Sequence, residues 1–227
     1  MTSTTGRLRG SRPQRMTAQV EAYSRIREGI IDGDLPPGTK LNQNELAAQL
    51  ELSTTPVREA LRRLAGDGLV QIDAYHGAFV AELDEEELRE IYAIRAALEP
   101  MAIRTAIDDI SSDSLDRAQA LWERMEVETD PSEWVEANRE FHGILSSPAR
   151  SVVLEPILTS LRDRAAPYVR LSLSLDTSVQ KRTNEEHRQI LEAYRGRDAD
   201  RAVELQVEHL HGTLDVILRT WHPRRQD

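Results

Sequence analysis

The most constraining feature of this sequence is a change of hydrophobic period near residue 69. From residue 17 to about residue 66, apolar side chains recur every three or four positions, which is typical of amphipathic helices. Residues 69–73 and 78–83 instead form two short runs that are typical of strands, joined by a turn at residues 74–77. The sequence therefore predicts three short helices followed by a β-hairpin.

Turn and cap signals divide the first part of the chain into its helices. Residues 35–38 contain two prolines and a glycine and predict a rigid turn after the first helix. Asn42 or Asn44 is expected to cap the second helix, and Ser53 the third. The first turn of the third helix tolerates Pro56, because the N–H groups there lack helical partners in any case.

From residue 84 onward the pattern is helical almost throughout. Caps, prolines and glycines separate six predicted helices, which cover residues 84–108, 112–128, 132–147, 150–174, 178–195 and 198–221. The predicted fold is mainly α, with a winged helix-turn-helix domain at residues 17–83 and an antiparallel six-helix bundle at residues 84–222. Residues 1–16 are predicted to be a disordered basic arm, and residues 223–227 a short tail.

Composition excludes several classes of protein. The 227 residues include 29 basic and 39 acidic side chains but no cysteine, which excludes disulfides and thiolate metal sites. No apolar run is long enough to span a bilayer and no secretory signal precedes the first helix, so we expect a cytoplasmic protein without membrane contact. The net charge of −10 does not itself suggest DNA binding, but the arm carries only basic charges, on Arg7, Arg9, Arg12 and Arg15.

The third predicted helix has the side chains that a DNA-reading helix needs. Such a helix fits the major groove, where arginine binds guanine with two hydrogen bonds and hydroxyls contact phosphates or thymine edges. On the helix, the expected contacts come from Ser53, Thr54, Thr55 and Arg58, and from Arg62 to a phosphate. His76 at the hairpin tip is expected to enter the adjacent minor groove.

This segment resembles the GntR family of bacterial regulators. The likeness covers residues 25–83 with unbroken spacing and rests on LPPG at 35–38, LAAQL at 46–50, STTPVREALRRL at 53–64, GLV at 68–70 and GAFV at 77–80. It implies that Arg58 and the wing residues His76 and Gly77 contact DNA. The family usually has arginine in place of Thr54, and its FadR type often in place of Asn44, so the resemblance implies an operator with fewer guanine contacts.

Five of the six histidines follow residue 140. Asn138 and His142 lie four residues apart and share one helix face, His187 lies on a later helix, and His209 and His211 lie on the last. Histidines from three helices that converge in a bundle would bind a divalent cation. Spacing alone is more typical of ordinary core or surface histidines than of metal ligands.

The helical part also resembles the FCD effector domain of the FadR subgroup. The likeness rests on the segment from Glu85 through Ile91, Arg95 and Glu99, and on Phe141-His142, Glu186-His187 and Glu208-His209-Leu210. In that family an acidic residue and three histidines hold a metal ion. The resemblance implies that the ligands here are Asn138, His142, His187 and His209. Zinc is the first expectation, with nickel and manganese as alternatives.

The replacement of the usual aspartate by Asn138 changes the expected electrostatics. An amide oxygen can still bind a cation, but it brings no negative charge, so we expect lower metal affinity. The site would then retain the full charge of the ion, which favours an anionic effector.

The sequence alone does not decide three assignments in the helical domain. His211 lies nearer the main apolar seam of the last helix than His209 does, and is the alternative ligand. Arg95 lies one turn before Glu99 and forms either a local ion pair or a site for an effector carboxylate. Tyr168 is expected to line the effector cavity.

The leading hypothesis is a ligand-responsive transcription repressor. It would bind a palindromic DNA operator as a homodimer and be released by a small organic-acid effector at a metal-containing pocket. The first alternative is a metal-dependent hydrolase, because three histidines and an open coordination position could activate water, although no motif supplies a general base. The second alternative is a regulator without metal, whose histidines bind the effector directly.

Overall fold

The computed structural model describes residues 17–146, 151–175 and 177–220. The predicted basic arm and the C-terminal tail lie outside the described residues. The first domain contains α1 (Ala18–Ile31), β1 (Lys40–Leu41), α2 (Gln43–Leu50), α3 (Thr54–Gly66), β2 (Val70–Asp73) and β3 (Gly77–Val80). This order matches the predicted three helices and hairpin, with one strand more.

The extra strand, β1, extends the hairpin to a three-stranded antiparallel sheet in the order β1-β3-β2. β1 pairs with β3 through Lys40 opposite Phe79, and β2 pairs with β3 through Val70 opposite Val80. A strand of two residues is too short to show alternation, so its hydrophobic pattern could not predict it. Its pairing anchors the turn at residues 35–38 to the wing.

The three helices enclose a single apolar core. Ile26 and Ile30 of α1 face Val57, Leu61 and Leu64 of α3, and all five side chains are at most 2% exposed. Replacing one such buried side chain by alanine costs about 2–5 kcal/mol of unfolding free energy. Because this stripe of α3 is buried, the opposite face of the helix is exposed to solvent.

The second domain is a bundle of long helices. It contains α4 (Glu85–Ala106), α5 (Ser112–Val127), α6 (Pro131–Ser146), α7 (Leu154–Leu175), α8 (Thr177–Arg195) and α9 (Ala199–Thr220). All six predicted helices are present, but α7 begins at Leu154 and not at residue 150. Residues 151–153 form a turn instead, in which the Ser151 hydroxyl accepts a hydrogen bond from the Leu154 N–H at 3.0 Å.

The helices pack so that the bundle centre lies between α4, α6, α8 and α9. α4 packs on α9, α8 packs on α9, and α5 packs on both α6 and α8. Asp84 and Glu87 form a capping box at the start of α4, which marks the boundary between the two domains. None of the helices within the described ranges is both long and apolar enough to cross a membrane.

Contacts between the two domains converge on α7. The Asp163 carboxylate accepts two hydrogen bonds from Arg27 of α1, at 2.6 and 2.7 Å, and one from Arg139 of α6, at 2.8 Å. The Ser160 hydroxyl donates to the Asp67 carbonyl at 2.9 Å. The Asp163 side chain is only 5% exposed, so this ion cluster is shielded from water where the domains meet.

Candidate DNA-binding surface and metal centre

The first turns of α3 present unbonded polar groups to solvent. Ser53 occupies the N-cap position, yet its side chain makes no capping hydrogen bond, unlike the Asn42 side chain of α2, which accepts from two backbone N–H groups. Thr54 and Thr55 are exposed. The hydroxyls on this turn are therefore free of helix capping, as a contact to an external partner requires.

The three arginines of α3 differ in their local partners. Arg58 is exposed and forms no ion pair with any described residue, whereas Arg62 contacts Glu59 at 3.2 Å. Arg63 stacks its guanidinium over the Tyr23 ring, 4.2 Å from the centroid, and so serves the packing of α1. Arg58 is thus the cation of α3 that is most available to a DNA base.

The remaining predicted DNA contacts are also exposed. Asn44 lies on the first turn of α2, where its backbone N–H donates to the Asn42 side chain. At the wing, His76 and Gly77 follow a turn that Asp73 organises: its carboxylate accepts from the His76 backbone N–H at 2.6 Å and lies 2.9 Å from His76 Nδ1.

Backbone geometry explains the glycine at the wing. Gly77 has a φ of +97°, in the left-handed region that favours glycine. These bonds and this conformation hold the His76 ring at the end of the hairpin.

Three buried histidines meet inside the helical bundle. His142 of α6, His187 of α8 and His209 of α9 each offer a ring nitrogen, and these nitrogens all lie within 4.8 Å of one another. The three side chains are 5%, 0% and 5% exposed. The alternative ligand His211 is exposed, whereas α9 buries the face of Ala202, Leu205 and His209 together with Leu210 and Ile217 of its main apolar seam.

Several polar atoms at this centre have no hydrogen-bond partner among the described residues. They are Asn138 Oδ1, His142 Nε2 and both ring nitrogens of His187. Each buried unsatisfied group costs about 1–3 kcal/mol, so four such atoms around one space would be expensive for a core with no ligand. An amide oxygen with three imidazoles is a donor set that suits zinc and related divalent ions. The residues present therefore fit a metal ion.

The protonation of the histidines suits the same role. Burial, followed by the charges of His187 and His209, lowers the pKa of His142 well below its ordinary value. Burial and the charge of His209 do the same to the pKa of His187. Neutral imidazoles, whose lone pairs are available to a metal, are consequently the stable form.

A small cavity adjoins the histidines. Its lining includes Asn138, His142, His209 and Arg95, with Tyr92 and Trp134 as aromatic walls. The Trp134 ring stacks on His187 with 5.9 Å between centroids, and the Arg95 guanidinium lies over the Tyr92 ring, 5.0 Å from its centroid. The space thus combines an apolar wall with a few convergent polar groups, as small-molecule sites do.

Arg95 forms the local ion pair that its spacing allowed and also lines the cavity. Its Nε donates to Glu99 at 3.0 Å. Glu99 accepts from Gln206 at 2.6 Å and lies 3.5 Å from Arg162. Burial would raise the pKa of Glu99, but the charges of Arg95 and Arg162 outweigh it and hold this pKa below its ordinary value. Arg95 and Arg162 thus share the Glu99 carboxylate, and Arg162 also lies 3.7 Å from the Glu155 carboxylate.

The expectation that Tyr168 lines the effector cavity was wrong. Its hydroxyl accepts a hydrogen bond from the Leu83 N–H at 2.6 Å and donates to the Leu83 carbonyl at 3.3 Å, so it holds the segment between the domains. Burial is the main cause that raises the pKa of Tyr168 to about 12. The tyrosine that does line the cavity is Tyr92, which precedes Arg95 by three residues and could have been found from that helical spacing.

Two further site residues were not predicted for this role. Trp134 lies one turn before Asn138 on α6, so the same periodicity that relates Asn138 to His142 places it on their face. Glu186 lies 2.8 Å from His209 Nδ1 across the α8–α9 interface. No sequence spacing could reveal this second contact, because 23 residues separate the partners.

Comparison with known families assigns both domains. Residues 18–80 match the family described as bacterial regulatory proteins, gntR family, and residues 90–212 match the FCD domain. The chain belongs to the GntR family. The FCD match spans more than half of the chain and contains Arg95, Asn138 and the three clustered histidines.

Relatives of this GntR regulator control transcription. The chain is 29% identical to the HTH-type transcriptional repressor GlaR of Escherichia coli strain K12 over 209 residues, 87% of this chain and 94% of that protein. It is 26% identical to the gluconate operon transcriptional repressor of Bacillus licheniformis, over 89% of this chain and 84% of that one. The GntR chain described here is a DNA-binding transcription regulator and not an enzyme, so the hydrolase alternative is wrong.

The fold has a solved counterpart. The structure of E. coli McbR/YncC superposes with a TM-score of 0.82 and covers 91% of this chain and 100% of its own. The two sequences are 23% identical, so this likeness supports the mainly helical architecture with its small sheet and nothing finer.

Proposed function

We propose that this GntR regulator is a homodimeric repressor whose grip on a palindromic operator is released by a small organic acid. The observation that carries the proposal is the buried set of Asn138, His142, His187 and His209 beside a cavity. These atoms need a ligand to be satisfied, and the domain that holds them is joined by a buried ion cluster to the DNA-binding domain.

A divalent metal ion would be held by Asn138, His142, His187 and His209. Zinc suits the donors best, with nickel or manganese as the other candidates. When bound, the ion supplies positive charge and open coordination positions for an effector carboxylate. Arg95, which lines the same cavity, would bind and orient that carboxylate.

The exposed face of the first domain would contact the operator. Arg58 would bind a base edge in the major groove, and the hydroxyls of Ser53, Thr54 and Thr55 would contact phosphates or thymine edges. Outside the leading turns of α3, phosphate or groove contacts would come from Asn44, Arg62, His76 and Gly77. A second copy of the chain supplies the second recognition helix that an inverted repeat requires. Because this activity acts on chromosomal DNA, we place the protein in the cytoplasm.

The route from cavity to DNA would run through Asp163. Arg139 follows the proposed metal ligand Asn138 on α6, and Asp163 holds both Arg139 and Arg27 of the DNA-binding domain. A ligand that shifts α6 would alter the Arg139–Asp163 contact and with it the placement of α1. The two recognition helices of the dimer would then no longer match their half-sites.

A direct test begins with the purified full-length protein. Metal content is measured by mass spectrometry, oligomeric state by light scattering, and the operator by selection from random duplex DNA. We expect about one divalent ion per chain, a dimer and an inverted repeat. Release of that DNA is then measured with a panel of hydroxy acids, dicarboxylic acids, sugar acids and fatty acids, with and without a chelator.

The outcomes separate the alternatives. Release that needs both an acid and the metal supports the proposal. An acid that releases DNA equally well from metal-free protein favours the regulator whose histidines bind effector directly. A monomer that selects a single half-site would overturn the dimeric mode of binding.

A further inference from the structure

Glu186 bridges two of the helices that carry the histidines. It precedes His187 on α8, and its carboxylate reaches across to His209 Nδ1 on α9, 2.8 Å away. The His209 side chain is 5% exposed and that of Glu186 30% exposed. The pair therefore links a partly exposed carboxylate to the buried histidines.

The contact selects one form of the His209 ring. A carboxylate accepts hydrogen bonds and does not donate them, so Nδ1 of a neutral imidazole must carry the proton that it shares with Glu186. The Nε2 lone pair is then the one left for a cation. Metal-binding histidines are commonly oriented in this way by a carboxylate on the second nitrogen.

The charge of Glu186 is the second part of the argument. The four proposed ligands are all neutral, since Asn138 stands where a carboxylate would balance the ion. The other acidic group near the centre, Glu99, is engaged by Arg95, Gln206 and Arg162. Glu186 has only a longer contact to a cation, 3.6 Å to the half-exposed Arg182. Within the part of the chain that the structure describes, the Glu186 carboxylate is thus the negative charge available to a cation at the histidines.

We propose that Glu186 is a positioning residue of the metal site, which fixes the His209 ring and supplies the negative charge that Asn138 lacks. The inference rests on the proposed function, because it takes Asn138 and the three histidines as the ligand set. It goes beyond that function by assigning the site a fifth residue that does not touch the ion.

The experiment measures zinc affinity by competition with a chromophoric chelator. Glu186→Gln keeps an acceptor for His209 and removes the charge, whereas Glu186→Ala removes both. We expect Glu186→Ala to weaken zinc binding by about 10–100-fold, the usual effect of losing such a partner, and Glu186→Gln to weaken it less. The matched control is Glu185→Gln, which removes the same charge one residue away, where the carboxylate contacts Arg188 and Gln189 at the surface. The control should keep wild-type affinity.

A second substitution separates charge from orientation. Asn138→Asp restores a negative charge among the ligands, so it should return Glu186→Gln to wild-type affinity or better. It should rescue Glu186→Ala only in part, because the His209 ring stays unfixed. Long-range 1H–15N spectra of the zinc-bound protein report the ring directly: His209 should be protonated on Nδ1 in the wild type and lose this single form in Glu186→Ala.

The outcomes distinguish this inference from the proposed function. Wild-type protein that binds no divalent ion overturns both. Wild-type protein that binds zinc, with Glu186→Ala indistinguishable from Glu185→Gln, overturns the role of Glu186 alone. Melting curves of the metal-free variants show whether each is folded, and Glu186→Gln, which is nearly isosteric, carries the test if Glu186→Ala is not.

Discussion

The DNA-binding face and the histidine centre both present polar atoms without protein partners, but in opposite environments. On α3, Ser53, Thr55 and Arg58 are exposed, so water satisfies them and their lack of partners carries little energy. Around His187 the unpartnered atoms are buried, where the same lack is costly. An exposed face permits a ligand, whereas a buried centre requires one for its own stability. The following predictions test that difference.

The largest effect is expected where the two regions join. Asp163→Asn removes the buried charge that two partly buried arginines share and should lower the free energy of unfolding by about 3–5 kcal/mol, measured with denaturant. The matched control is Asp215→Asn, whose exposed carboxylate lies 3.9 Å from Arg219 and should contribute little. Equal midpoints for the two variants would show that the buried ion cluster does not stabilise the domain contact.

Replacing a buried histidine of the centre should stabilise the metal-free protein. His187→Leu removes two unsatisfied nitrogens, so the metal-free variant should be more stable than metal-free wild type by about 1–3 kcal/mol. The same change should abolish high-affinity metal binding and leave operator binding intact. Denaturant unfolding in the presence of a chelator measures the first effect. A destabilised metal-free variant would mean that His187 contributes more by packing than its unpaired nitrogens cost.

The exposed face should show the reverse behaviour. Arg58→Ala is expected to weaken specific operator binding by about 1–3 kcal/mol through loss of a base contact, measured by fluorescence anisotropy. Its free energy of unfolding should stay within about 0.5 kcal/mol of wild type, as for surface changes in general. Arg89→Ala, which removes an exposed arginine of the helical domain, is the control. Operator affinity that matches this control would refute base reading by Arg58.

The smallest effect is expected at Arg62. Its contact with Glu59 is exposed, and its expected partner is a phosphate. Arg62→Ala should therefore weaken binding to all sequences alike and reduce the slope of log affinity against log salt by about 1. An unchanged slope would place Arg62 outside the operator contact.

The sequence predicted different features of the DNA-binding domain and of the helical domain. In the first domain, caps, turns and the periodicity of Ile26, Ile30, Val57 and Leu61 are local signals, so the order of helices and hairpin followed from them. β1 was not predicted, because this two-residue strand is defined only by its pairing with β3. In the second domain, six helical spans were evident, while the ligand on α9 was ambiguous between two histidines two residues apart.

The choice between these two histidines shows what a local sequence pattern cannot predict. A helix packed on two neighbours buries more than one stripe, so the apolar seam of α9 does not by itself identify the face that meets α8. Tyr168 was misplaced for the same reason: α7 contacts both the cavity and the domain boundary, and Tyr168 faces the boundary. Trp134 and Tyr92, by contrast, lie at helical spacing from predicted site residues.

The sequence by itself determined the fold class, because capping, turn chemistry and hydrophobic period act over a few residues and are preserved in the order of side chains. It also predicted the candidate DNA contacts on α3 and the wing, whose placement depends on one helix and one turn. Only the tertiary structure decided that His209 and not His211 joins the histidine centre. The same holds for the pairing of Glu186 with His209 and for the clustering of Arg27, Arg139 and Asp163. These relations depend on how separate helices rotate against one another, which is set by the packing of the whole core.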